Sequence, residues 1–434
     1  MKGLLKYLCL LALISSPGIG QQVPEKQSAA YLKEFNTVQE PARREILIEN
    51  VRIIDGNGGI PVERGYVVVK DGIITAVEPG SASEEIKKRM SVTDAKGKSL
   101  LPGLIDAHLH SVNDNEFLQL CLGNGITTLR DPGHPFTFYQ AIHFADAPLP
   151  RIFLTGPHLD YPPVAYGQEA TLVRSNDHAR QVIRRYAESG ASGIKIYFRL
   201  PLRFYKDVVE TAGAYNLPVV AHLELISAAD AIQEGVIGIE HVTSFGTSIA
   251  GAEARADFEK KVDENNNARR EERYRLWASL DMNSPKVGEV IDLAVQKNIF
   301  FCPTLAAFER QADSTGKEDF RVKGFKNMLK FVELAHQAGM KIVVGSHSSS
   351  LYSKHGWTYQ REMELLRMAG LAPLEVIKSG TVLNAAYFGN SPRLGSISVG
   401  KAADLILVDG NPSENIAAMY NISAVMLNGD WVKK

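Results

Sequence analysis

From residue 101 onward the chain alternates short apolar strands with amphipathic helices eight times, and few folds accept that rhythm. The candidate strands run over 101–107, 126–130, 151–155, 193–198, 218–221, 237–240, 299–302 and 341–345. Helical patterns fill most of the gaps, at 178–188, 206–215, 228–234 and 325–338. A helix between two strands returns the chain to the same end of the sheet, so consecutive strands pair in parallel. Eight such units in about 250 residues predict an α/β fold, a (β/α)8 TIM-type barrel. The charged stretch 253–275 reads as a solvated helical face rather than a binding patch.

Both flanks of this region read as strands, at 46–54, 66–70 and 73–77 before it and at 395–399, 403–408 and 422–428 after it. Asp71-Gly72 is a tight-hairpin signal, because these residues tolerate the positive φ that such a turn needs. Neither flank is large enough to make a stable sheet alone. They are therefore expected to pair into one small β-sandwich domain formed by both termini, with the barrel inserted in it. The predicted organisation is a signal peptide at 1–20, an N-terminal arm or lead-in helix at 21–43, the sandwich at 44–100 and 390–434, and the barrel at 101–389.

The signal peptide is read from Lys2 and Lys6, the apolar run 7–14, and the small-residue pattern ending at Gly20. That run is too short to span a bilayer comfortably, so no membrane association is expected after cleavage. The expected location is the periplasm or the exterior. Cys121 and Cys302 then remain, and their apolar surroundings predict two buried free thiols rather than a disulfide. The formal net charge of −1 leaves no basic stripe for nucleic acid. A small-molecule substrate is the expected partner, with homo-oligomerisation left open.

Active sites of such barrels lie at the C-terminal ends of the strands. The first strand ends in Leu101-Pro-Gly-Leu-Ile-Asp-Ala-His-Leu-His110, and alternation on a strand points His108 and His110 the same way, toward one shared metal ion. Alone, such a pair is common among solvated and structural histidines. Here it is joined by Lys195 on the fourth strand, His222 on the fifth, His241 on the sixth and His347 on the eighth. One rim thus gathers more ligand-type residues than packing explains.

With these residues the chain resembles the amidohydrolase superfamily, most closely its imidazolonepropionase-like and prolidase-like branch. The resemblance also rests on Gly125-Ile-Thr-Thr-Leu-Arg-Asp131, Thr381-Val-Leu-Asn-Ala-Ala386 and Gly400-Lys-Ala-Ala-Asp-Leu-Ile-Leu-Val-Asp409. It implies a divalent metal, zinc above all, as one or two ions. His108 and His110 would hold one ion and His222 and His241 a second, with carbamylated Lys195 as the bridging ligand. His158 and Tyr166 align loosely with a substrate-facing loop. His134, His143, His178, His336 and His355 are assigned to surface or capping roles, and Glu362 and Tyr197 are left undecided.

The departure is on the eighth strand, where the resemblance implies Gly-Thr-Asp or Gly-Ser-Asp and this chain has Gly345-Ser346-His347. A carboxylate can put one oxygen on a metal and the other on water, whereas an imidazole presents its two nitrogens on opposite sides. His347 is thus expected to be ligand or general base, not both. The expected activity is metal-dependent hydrolysis of a C–N bond in an amide, cyclic amide or dipeptide. The alternative is a non-catalytic ligand-binding protein that keeps the metal pocket.

Overall fold

The computed structural model describes residues 32, 34–36, 38, 40–41, 44–110, 113–312, 319–347 and 355–433. The expected targeting segment lies outside them. Five strands come first: β1 (Glu45–Ile53), β2 (Val62–Lys70), β3 (Ile73–Pro79), β4 (Ser91–Asp94) and β5 (Ser99–Pro102). Next are β6 (Leu104–Asp106), β7 (Ile126–Asp131), β8 (Arg151–Leu154), β9 (His158–Asp160) and β10 (Ala170–Leu172). The chain continues through β11 (Ile194–Ile196), β12 (Val219–His222), β13 (Gly238–Glu240), β14 (Phe300–Cys302) and β15 (Lys341–Ile342). It closes with β16 (Leu405–Val408), β17 (Ile422–Leu427) and β18 (Asp430–Lys433).

The two flanks do pair. They share one sheet in the order β18-β17-β16-β5-β1-β2-β3, with β4 also on β1. The joint is β16 against β5, antiparallel, with Leu405 opposite Pro102 and Val408 opposite Ser99. The β2–β3 turn has Asp71 at φ 49° and Gly72 at φ 79°, the left-handed pair a tight hairpin demands. The strand expected at 395–399 is absent. Gly395 (φ 87°) turns the chain there, and Ile397 N donates to Asp55 O. The alternating Ser-Ile-Ser imitates a strand, but its one apolar side chain plugs the core of the terminal sheet.

Between the flanks every strand pair is parallel, in a sheet β6-β7-β8 and a sheet β10-β9-β11-β12-β13-β14-β15. Backbone hydrogen bonds run between the two: Ser192 N to Leu154 O (2.7 Å), Ala107 N to Val344 O (2.9 Å) and His347 N to His108 O (2.7 Å). The helices form for the reasons the sequence supplies. In Asn176–Glu188, Ser175 caps the first turn through His178 N, and Ala179, Val182, Ile183 and Tyr186 bury one face at helical spacing. The opposite strand faces meet in a second core of Ile105, Phe153, Val220, Cys302 and Val343. Each such side chain contributes roughly 1.5–3 kcal/mol by burial.

The arm is not loose where it is described. Phe35 N donates to Ile152 O, and Asn36 bonds both Ile152 N and Pro150 O, so the arm docks beside β8. Arg151 ties β8 to the terminal sheet through Asp404 (2.7 Å) and to the arm through Glu34 (2.7 Å). Cys121 and Cys302 are free and buried, as expected. Among the described residues no helix is long and apolar enough to cross a membrane.

Candidate active site

The ends of β6, β11, β12, β13 and the segment after β15 meet around a cavity of about 460 Å³. His108 and His110 follow β6, and Asp106 sets their frame. Its carboxylate accepts from His108 N and Ser346 N (both 3.0 Å) and from Ser346 Oγ (2.5 Å), locking the first strand to the eighth. Burial pushes the Asp106 carboxyl up to about 6, against the pull of these donors.

All five rim histidines come together. Ring centroids lie 5.0 Å apart for His108–His110, 4.5 Å for His108–His241, 4.3 Å for His222–His241, and 5.4 Å for His108–His347. Burial holds His108, His241 and His347 well below the usual histidine range, helped by the charge of Lys195 and the neighbouring rings. It takes His222 to about 4, although Glu224 pulls the other way. The imidazoles of His108, His222, His241 and His347 are therefore neutral and present lone pairs. Lys195 sits mid-strand on β11, lines the cavity, and makes no ion pair within 4 Å among the described residues. Burial brings it down to about 8.

The donor set fits a cation. His108 Nδ1 lies 2.5 Å from Glu240 Oε2, which places the proton on Nδ1 and the lone pair on Nε2. His110 Nδ1 faces Asp131 at 3.6 Å, an ion-pair distance just beyond a hydrogen bond. The two Nε2 atoms converge to 3.1 Å, close enough for one positive ion to bind both. His347 completes a group of three donors within 4.8 Å of one another.

Several of these partners were not anticipated. Glu240 precedes His241 on β13, where alternation would send the two to opposite faces. His241 sits at φ 67°, which breaks the alternation and lets both reach the interior. Glu240 Oε1 also accepts from Arg130 Nη2 (2.5 Å) and Tyr387 Oη (2.7 Å). His134, assigned to the surface, instead lines the cavity. Its Nδ1 is 2.8 Å from Asp131 Oδ2, and its ring stacks on Phe138. The signal was available as Asp131-x-x-His134 directly after the second strand.

The charge run also needs correcting. It forms two helices, Ala252–Glu264 and Arg269–Ser279, and the second turns Arg269, Arg270 and Arg273 into the cavity wall. Charge alone does not show which face of a helix meets water, and here Lys261 pairs with Asp257 and Arg275 with Glu271 on the outside. His158, Tyr166 and Tyr197 all line the cavity. The His158 ring lies 4.2 Å from the Tyr197 ring, tilted by 41°, and Tyr166 Oη accepts from Arg269 (3.0 Å) and Arg270 (3.4 Å). Glu362 does not line it; it caps the helix Leu305–Ala312 by accepting from Leu305 N and Ala306 N. His178 and His336 stay at the surface and His355 is exposed, while the side chain of His143 lies outside what is described.

The sequence signature of the amidohydrolase family matches residues 99–432. The chain belongs to that family. A 5-methylthioadenosine/S-adenosylhomocysteine deaminase of Shouchella clausii (strain KSM-K16) is 42% identical over 66 residues, 15% of each chain. The match thus spans a small part of that relative. A deaminase of the same name from Bacillus cereus (strain G9842) is 22% identical over 86% of this chain and 89% of its own. In fold, an Xaa-Pro dipeptidase crystallised with methionine in its active site is similar at a TM-score of 0.68, with 22% identity over 90% of this chain and 100% of that one. Amidohydrolases are hydrolases acting on C–N bonds and generally use a divalent metal, in agreement with the histidine cluster.

Proposed function

We propose that this amidohydrolase uses one or two divalent ions, zinc being best suited, to hydrolyse an amide, cyclic amide or dipeptide bond in a small substrate. The observation that carries the reading is the convergence of His108 Nε2 and His110 Nε2 to 3.1 Å with Glu240 and Asp131 behind them. His108, His110 and His347 would hold one ion, and His222 and His241 a second. Lys195 would bridge as its carbamate, which its neutral amine forms by adding carbon dioxide and releasing a proton. The bound metal supplies polarisation of the scissile carbonyl and a lowered pKa for water. The chain's own residues orient and enclose. Glu240 holds the His108 tautomer, Asp106 holds the first and eighth strands in register, and His158 and Tyr166 face the substrate. The deaminase and dipeptidase named above both act on C–N bonds, which supports the bond class.

We infer also that the two parallel sheets form one (β/α)8 barrel, inserted at 101–389 into a β-sandwich of 44–100 and 390–434. The bonds from Ala107 to Val344 and from Ser192 to Leu154 support closure. A signal peptide at 1–20 and a periplasmic or secreted location follow from the sequence alone, and the mass of the mature N-terminus tests them.

Metal analysis of the purified protein, with a screen of dipeptides, N-acyl amino acids, lactams and lactones, is the direct test. Protein that takes up neither metal nor substrate refutes the reading. A second reading, a binding protein that has lost its base, is motivated by His347. His347→Asp separates the two: hydrolysis falls at least about tenfold if His347 serves an existing activity, and rises if an aspartate restores a lost one.

A further inference from the structure

Arg269 is buried at 4% exposure and lines the cavity, yet among the described residues its side chain makes one hydrogen bond, to Tyr166 Oη at 3.0 Å. A guanidinium carries five N–H donors. The side chain of Arg273, one helical turn on, makes no hydrogen bond among the described residues, and its Nε is buried without a partner. Both lie near the same carboxylate, Glu224, but at 3.7 Å and 3.8 Å. That is too long for the bidentate geometry that guanidinium and carboxylate adopt when they serve each other. Glu224 Oε2 is likewise buried and unpartnered. Two arginines therefore share one loosely held acid, and both line the cavity. Buried donors without acceptors are costly, so an oxygen-rich anion is the missing partner.

The position of this pair limits what the anion belongs to. Glu224 Oε1 is 3.4 Å from His222 Nε2, so the arginines stand one side chain away from the histidine cluster. The Arg273 guanidinium lies 4.9 Å from the Phe308 ring and that of Arg269 5.0 Å from Phe198, which fixes both planes against aromatic walls. We propose that Arg269 and Arg273 form a carboxylate-binding subsite, and that the substrate is an acid whose free carboxylate lies a few bonds from the scissile C–N bond. N-acyl amino acids and dipeptides with a free C-terminus have that form. The inference rests on the metal-dependent hydrolysis proposed above for the bond that is cut, but not for the anion that is held.

The test compares a panel of N-acetyl-L-amino acids with the same compounds as C-terminal amides, using the metal-loaded full chain. Turnover and binding by titration calorimetry are both read. The acids are expected to bind about 10- to 100-fold tighter than their amides, the range of a lost charge-assisted contact. Arg273→Met should abolish that preference while leaving metal content unchanged. Arg269→Met strands Glu224, so Arg269→Met with Glu224→Gln is the cleaner partner variant. Amides handled as well as acids, or a preference that survives both variants, overturns the subsite. Acid-selective binding without turnover keeps the subsite and refutes the hydrolase reading; amide-tolerant turnover does the reverse.

Discussion

Two buried glutamates flank the histidine cluster, and they are held in opposite ways. Glu240 is saturated, with Arg130 at 2.5 Å, Tyr387 at 2.7 Å and His108 at 2.5 Å. Glu224 has His222 at 3.4 Å, two arginines beyond 3.6 Å, and one oxygen with no partner. Both lie beside a site histidine and both face arginine. The difference separates a framework from a receptacle. Around Glu240 every donor is spent on positioning, so that side of the site is rigid before anything binds. Around Glu224 donors are left over, and the charge balance waits for another group. Arg269 nonetheless holds the Glu224 carboxyl below its usual range against burial, so the acid is ionised.

The largest expected effect is at the saturated side. Glu240→Gln leaves Arg130 buried without its counter-charge, a loss of about 3–5 kcal/mol measurable by urea denaturation. It also frees the His108 tautomer, so metal affinity should fall about 10- to 100-fold by competition with a chelator. A smaller cost would show that Glu240 does not carry the framework.

Glu224→Gln should cost less, about 1–2 kcal/mol, because its contacts are long. If the arginines serve a ligand, this substitution also tightens N-acetyl amino acid binding by removing the resident negative charge. Weakened acid binding would mean that Glu224 positions the arginines rather than competing for them.

The smallest effect concerns Asp131 and His134, which lie between the two extremes. Burial lowers the His134 pKa, but Asp131 outweighs it and the net shift is upward. A raised folded value means the pair stabilises fully below about pH 6.5 and loses that contribution as pH climbs through the raised value. Asp131 is shifted down, because the adjacent His110 and His134 outweigh burial, so its own contribution disappears only in acid. His134→Ala in chelator-treated protein should therefore destabilise more at pH 5.5 than at pH 9, by less than about 1 kcal/mol. An equal loss at both pH values would remove the ion pair from the account.

The saturated side was half legible in the sequence and the receptive side scarcely at all. Strand rhythm and strand ends expose His108, His110, Lys195, His222, His241 and His347, because periodicity fixes where strand-borne residues project. Glu240 was hidden by its own neighbour: alternation assigns it the wrong face unless the φ of His241 is known. Arg130 meets Glu240 across 110 residues and Arg269 meets Tyr166 across 103, and no local pattern encodes such pairings. The charge run at 253–275 was read for its composition, which is that of a solvated helix. Its arginines face inward because the helix Arg269–Ser279 lays Tyr274 and Trp277 into the core, and that turns Arg269 and Arg273 toward the cavity. The terminal sheet was legible in its pairing but not in the extra strand read at 395–399.

His347 holds φ at 54°, a left-handed backbone that most side chains resist. Histidine, asparagine and aspartate are the non-glycine residues that accept it most readily. Histidine and aspartate codons differ by a single base, so the aspartate that the sequence resemblance implies here is one mutational step away and needs no backbone change. Neither the genetic code nor the conformation stands in the way of that exchange, which leaves the chemistry of the imidazole itself as what selection at this position would act on.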